Sequence, residues 1–177
     1  CKRLVCEKPV GQNKDNLPRL KPFLTDLGIG ALVFFGYYFR PVFLSQGTLA
    51  RGFDGSVQSY PWLEKLVQGW HSFSVPLWDF SSFGGTTFIG ELQPGVLYPG
   101  HLVFSLLTRE VTQSPFNAYI AAHYVLAFAF MNLFLRGSGL GFLPRLLGSF
   151  AFAAYLDWSQ PNRFFGMVFL PLLLVCV

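Results

Sequence analysis

The chain has 177 residues, of which 52% are hydrophobic, 12% are charged and 21 are Phe, with a mean hydropathy of +0.43. So apolar a composition excludes an ordinary soluble domain and points to a polytopic membrane protein. The net charge of +4 does not indicate nucleic acid, because Lys2, Arg3, Lys8, Lys14, Arg19 and Lys21 all precede the first apolar run. That is the pattern of a cytoplasmic flank, so residues 1–26 are read as a basic tail inside the cell.

Residues 27–44 form the first apolar run, LGIGALVFFGYYFRPVFL, whose about 18 residues at 1.5 Å each just cross a hydrocarbon core. Residues 45–114 carry few basic groups and are placed on the opposite, extracytoplasmic side. Within them Trp62, Leu63, Leu66, Val67 and Trp70 recur at helical spacing, which predicts an amphipathic interfacial helix near 61–70. The stretch that follows, PLWDFSSFGGTTFIGELQPGVLYPG, is dense in Gly and Pro and is expected to be irregular. A short apolar run at 101–107 reads as a second interfacial or re-entrant helix.

Residues 115–135 then return to the cytoplasm as a confident span, and Arg136 and Arg145 flank the inner turn. A third span, 144–158, is rich in small residues suited to close helix packing. A fourth, 163–177, is still in progress at Val177, and with Cys1 in first place this suggests a piece of a longer protein. The fold class expected is all-α, a polytopic transmembrane helical bundle with an elaborate first extracytoplasmic loop that contains interfacial helices.

The chain holds no nucleophile elbow, zincin motif, phosphate-binding loop or dinucleotide fingerprint, so chemistry has to come from the architecture. Its three cysteines, Cys1, Cys6 and Cys176, make no CxxC pair. Asp54 lies between Gly52 and Gly55, soon after the first span and just before the amphipathic helix. A carboxylate there can serve as a base at the membrane surface, and Asp is also a good helix cap. Asp79 and Glu91 are the other loop acids, and either could join Asp54 in holding a divalent cation through oxygen ligands. Turn hydrogen bonding for Asp79 and plain solvation for Glu91 compete with that role.

His123 falls within the second span, where an ionisable group is costly and marks either a site or a hydrogen bond to a neighbouring helix. His71 and His101 lie in or beside the outer loop, placed for phosphate contact or for simple solvation. Asn162, with Asp157, Trp158 and Gln160, forms a second outer polar cluster next to Arg163.

In order along the chain come Asp54, Gln58 and Tyr60-Pro61-Trp62, then Pro76-Leu77-Trp78-Asp79 and Phe83-Gly84-Gly85. Gln93-Pro94-Gly95, Tyr98-Pro99, His123, Asn162 and Leu170-Pro171-Leu172 follow. This series resembles the YfhO-like bacterial membrane proteins, part of the GT-C class of multi-spanning glycosyltransferases, from Leu27 onward. The resemblance implies transfer of a sugar from a polyprenyl-phosphate donor to an extracytoplasmic glycan, lipid or cell-envelope polymer, with inversion and with Asp54 as base. It implies donor and acceptor contacts from Asp79, Glu91, His71, His101, His123, Asn162 and Arg163, and a multi-pass place in the cell membrane with the N-terminus cytoplasmic. A divalent cation is the one candidate cofactor and is not required, and nucleic acid is not a partner. Many members of the family have Asn where this chain has Asp79, and the class has more spans than this chain, so the chain alone is expected to be inactive. The competing class is a non-enzymatic transporter or scaffold subunit.

Overall fold

In the computed structural model, residues 20–44, 47, 49, 54–74, 76–81, 84–91, 93–156 and 166–175 are described. The described residues are all-α apart from one small hairpin. Its helices are α1 (Leu20–Val33), α2 (Arg40–Leu44), α3 (Tyr60–His71), α4 (Pro99–Leu107), α5 (Gln113–Gly137), α6 (Phe142–Tyr155) and α7 (Leu170–Val175). Each helix that starts afresh has a proline in its first turn, at Pro22, Pro61, Pro99, Pro115, Pro144 and Pro171, while Pro41 of α2 falls where that helix continues the turn before it. The first turn has no use for the missing N–H, and the ring presets the helical φ. At the other end of α5, Gly139 takes φ +78° and Leu140 N–H bonds to Leu135 O, a left-handed cap that stops the helix and turns the chain into α6.

A six-residue π-helical turn, Phe34–Phe39, joins α1 to α2, with Arg40 N–H bonded to Phe35 O five residues back. It lets Phe34 and Phe39 stack at 5.9 Å, both against Tyr124 of α5. The first helix therefore begins at Leu20 rather than at the expected 27, and Asp26 lies inside it. Among the described residues only α5 is by itself long and apolar enough to cross a membrane. The region of the third expected span, 144–158, holds the 14-residue helix Phe142–Tyr155, and the described part of 163–177 holds α7 with the turn before it.

Three helices pack around α5, and their contacts fix direction. Along α1, Asp26 lies level with Arg136, Gly30 with Phe128 and Phe34 with Tyr124, so α1 and α5 are antiparallel. Along α6, Gly148 meets Leu135, Phe150 meets Phe128, and Leu156 O accepts from the Tyr124 hydroxyl, so α6 also runs against α5. Gly30 is there because of this closeness, since a Cβ on it would sit 2.5 Å from the Phe128 ring. The aromatic stack of Phe34, Phe39, Tyr124, Phe128 and Phe150 fills the space between the three helices.

Below that stack lies a buried ion cluster. Asp26 is 2% exposed, and its Oδ2 accepts from Arg145 Nε at 2.9 Å and Nη2 at 2.7 Å, with Arg136 Nη2 at 3.8 Å. Arg145 Nη1 also donates to Leu140 O, so the turn between α5 and α6 is tied to the same guanidinium.

Residues 54–112 fold as a layer on the Gln113 end of α5. Leu66 of α3 joins Phe88 and Val96 in a small core of the layer's own, with Trp62 and Trp70 packed on it. The tryptophans, expected in the headgroup plane, thus help to close that core. The stretch expected to be irregular contains a two-residue antiparallel hairpin, β1 (Trp78–Asp79) with β2 (Thr86–Thr87), in the register Trp78↔Thr87 and Asp79↔Thr86. The Tyr60 hydroxyl donates to Val111 O, and Asn117 accepts from Leu49 N–H at 2.8 Å while donating to Gly47 O at 2.7 Å. The first bond ties α3 to the residues just before α5, and the other two dock the chain after α2 on α5 itself.

Removing the carboxylate would strand two largely buried guanidinium groups, so Asp26→Ala is expected to cost about 3–5 kcal/mol. Denaturant unfolding in detergent measures it. The triple change Asp26→Leu, Arg136→Met and Arg145→Met is expected to recover most of the loss, because it removes the buried charges together.

Candidate functional site

Apart from the ion cluster, a buried group of phenol and imidazole side chains gathers where α4 crosses the Gln113 half of α5. Gly95, at φ +61°, makes the turn that delivers Tyr98, whose N–H bonds to Gly95 O at 2.8 Å. Pro99 then starts α4, which brings in His101 and Phe104. From α5, Tyr119 and His123 stand one turn apart on the same face and meet them.

The hydrogen bonds determine the state of His123. Its Nδ1 lies 2.8 Å from Tyr119 O, a carbonyl that can only accept, so Nδ1 carries the proton in the neutral ring. Nε2 is then an acceptor, and the Tyr98 hydroxyl, 2.9 Å away, donates to it. Burial pushes the Tyr98 hydroxyl up to about 12, which keeps it a donor at neutral pH. The His101 ring stands edge-on to Tyr98 at 5.1 Å and to Tyr119 at 5.9 Å. Burial, and secondarily the neighbouring His123, lowers its pKa to about 4.

Tyr98, Tyr119 and His123 face an apolar groove of about 530 Å³ between α4 and α5. On the α3 side of the connector from α4 to α5 lies a second, polar recess of about 470 Å³, lined by Glu64, Gln68, Arg109, Glu110 and Thr112. His71 of α3 reaches that connector with Nε2, 3.2 Å from Thr108 O.

The expected site residues separate on this frame. His101 and His123 are brought together through Tyr98 and Tyr119. His101, for which surface solvation was the competing expectation, is in fact 4% exposed, because α4 turns it inward onto α5. Asp79 is buried, and its Oδ1 accepts from Lys65 Nζ at 2.7 Å, Ser81 N–H at 2.9 Å and Ser81 Oγ at 2.7 Å. It therefore anchors the hairpin to α3, and the turn bonding expected of it is what is seen. Glu91 is exposed. Asp54 opens a π-helical turn, Asp54–Ser59, that leads straight into α3; its side chain lies outside the described residues, as do Asn162 and Arg163. Among the described residues no three His, Cys, Asp or Glu side chains gather as a metal set.

Sequence reasoning missed Tyr98, Tyr119 and Asn117 as site or docking residues. One signal was present in the i, i+4 pairing of Tyr119 with His123, which places a phenol and an imidazole on one helix face. No family model, curated protein or solved structure matches the chain. What the geometry defines is a class, an all-α protein whose polar and aromatic cluster sits between an apolar helix and a folded connecting layer.

His101 makes stability depend on pH. Its folded pKa of about 4 lies below the ordinary 6.5, so the unfolded chain takes up the proton first as pH falls. The contribution is full above about pH 6.5 and is lost progressively down to about pH 4. His101→Gln is expected to flatten that part of the profile in unfolding measured from pH 7 to pH 4.

Proposed function

We propose that this chain is part of a polytopic membrane glycosyltransferase of the GT-C type, related to the YfhO-like proteins. Its reaction is transfer of a sugar from a polyprenyl-phosphate donor to an acceptor outside the cytoplasm. The observation that carries the reading is the folded layer of residues 54–112. A simple connector between spans needs only a few residues, whereas this layer has its own core, a hairpin and two helices, and Asp54 opens it.

The membrane setting is supported by α5, and by the apolar residues exposed outward on its neighbours, such as Leu32, Phe35, Leu147 and Leu173. With Arg136 and Arg145 against Asp26 in the first half of α1, the positive-inside rule favours a cytoplasmic place for that end and an outer place for the layer. A divalent cation held by oxygen ligands in the layer is compatible with this reading and is not required by it.

In the proposed reaction the acceptor hydroxyl gives its proton to the Asp54 carboxylate, and its oxygen attacks the anomeric carbon. The lipid phosphate leaves from the opposite face with the bonding electron pair, which inverts the centre. General-base assistance of this kind is worth ~10² to 10⁴ in rate. A second reading, a transporter, draws on one observation. His123 is an ionisable side chain, 3% exposed, inside the helix of spanning length, where such groups also mark solute or proton paths.

Asp54→Asn in the natural membrane protein is expected to lower sugar transfer from a polyprenyl-phosphate sugar by ~10² or more while insertion and expression stay unchanged. Unaltered transfer would remove Asp54 as the base. Solute flux in proteoliposomes without any lipid-linked sugar would favour the transporter.

A further inference from the structure

We infer that α4, α5 and the connector between them form a two-part binding site for a single-chain prenyl phosphodiester that carries a sugar, the chain in the α4–α5 groove and the head at the connector. The inference rests on the proposed function and deepens it by assigning the donor a place that does not involve Asp54.

The groove supplies the apolar part. It is walled by Val103 and Leu107 of α4, by Ala118, Ala122 and Leu126 of α5, and by Phe169. Ala118, Ala122 and Leu126 follow one another at helical spacing along an exposed stripe, and the two alanines leave the wall hollow where larger residues would fill it. From Pro115 to Leu126 the channel follows about 17 Å of helix axis at 1.5 Å per residue. At about 530 Å³ and lined mostly by apolar side chains, it suits a single run of isoprene units. The Tyr98 to His123 bond bridges the loop before α4 to α5, so the floor of the groove is pinned rather than collapsible.

The connector supplies the polar part. The groove ends against Thr108 and Pro115, and the next residues, Arg109 to Thr112, line the polar recess on the α3 side. Arg109 is exposed and makes no ion pair among the described residues. It is a cation available at the level where a chain lying in the groove would place its phosphate.

Glu64, Gln68 and Glu110 share the recess. Carboxylates and an amide are good partners for sugar hydroxyls but repel a doubly charged phosphate monoester. The composition therefore selects a phosphodiester, with one negative charge for Arg109 and a hydroxyl-bearing head for the acids. It disfavours the bare prenyl phosphate that remains after the sugar has gone. The same recess would thus hold the charged substrate and weaken its hold on the spent carrier.

The test uses the purified natural protein in detergent and farnesyl phosphoglucose carrying a diazirine on its terminal isoprene. After photolysis, the labelled peptides are mapped by mass spectrometry. Labels are expected on the groove-lining turns of α4 and α5. Excess untagged farnesyl phosphoglucose should compete, farnesyl phosphate should compete about tenfold less well, a difference of ~1.4 kcal/mol, and phosphatidylglycerol should not compete. Ala122→Trp, on the exposed stripe, should abolish labelling at an unchanged unfolding midpoint, and Ala118→Phe serves the same purpose should the first variant misfold. Arg109→Ala should weaken binding about tenfold and reduce its salt dependence.

Labels spread evenly over the apolar helices, equal competition by phosphatidylglycerol, or labelling indifferent to both groove variants would overturn the inference. Sugar transfer is measured on the same preparations. Groove labelling without any transfer would refute the proposed function and leave the site standing; transfer with labels elsewhere would refute the site alone.

Discussion

The fold depends on one buried carboxylate. Asp26 takes two hydrogen bonds from Arg145 and lies within ion-pair distance of Arg136, so α1, α5 and α6 meet at a single oxygen. Burying a charge is expensive, and the expense is offset only when the partners are close and well oriented. That condition gives the cluster its specificity, because sliding any of the three helices by one residue breaks it. Everything stacked above follows in register, with Gly30 against Phe128 and Phe34 against Tyr124. The net charge of the cluster is positive, and it is found at the chain's basic end.

Hydrophobic runs made the helices legible, and Pro61, Pro115 and Pro144 fall close to the expected starts, whereas α1 begins seven residues ahead of its apolar run. The cluster itself was not legible. Asp26, one residue before an apolar stretch, looks like part of a charged tail, and only tertiary pairing with arginines 110 and more residues away carries it inside. The same limit explains His101. Its neighbours in the sequence are turn residues, so it reads as solvated, whereas the turn at Gly95 and the helix start at Pro99 aim it at α5. Asp79 was easier, since an Asp two residues before Ser in a turn commonly bonds locally, and it does so here. Asn117 could not be read from its surroundings, because its partners Gly47 and Leu49 are about 70 residues away.

The folded layer and the helices beneath it exchange few but directional contacts. Tyr98 gives its hydroxyl to a single ring nitrogen of His123 on α5, and Asn117 of α5 gives its amide to Gly47 O, while Tyr60 and His71 tie α3 to the connector ahead of α5. Such bonds fix orientation more than they add stability, each being worth roughly 1 kcal/mol net. A layer held this way can keep the geometry of a site while still exchanging ligands at its edges. The Tyr98 to His123 bond is the most informative, because the carbonyl on the far side of the ring leaves it one direction only.

The wide turn at Phe34–Phe39 governs the outer half of the first helix. Each residue of a regular α-helix advances the side chains by about 100°, and a π turn absorbs one residue without that advance. Asp26, Gly30 and Phe34 look at α5 from the lower part; without the extra residue, Phe39 and Val42 would point about a quarter-turn away from the core in which both are buried. The turn works like a phase correction between two periodic patterns, one indexed on the ion cluster and the other on the outer layer. The two ends are thereby indexed separately, so a change of register at the outer face leaves Asp26, Gly30 and Phe34 in place against α5.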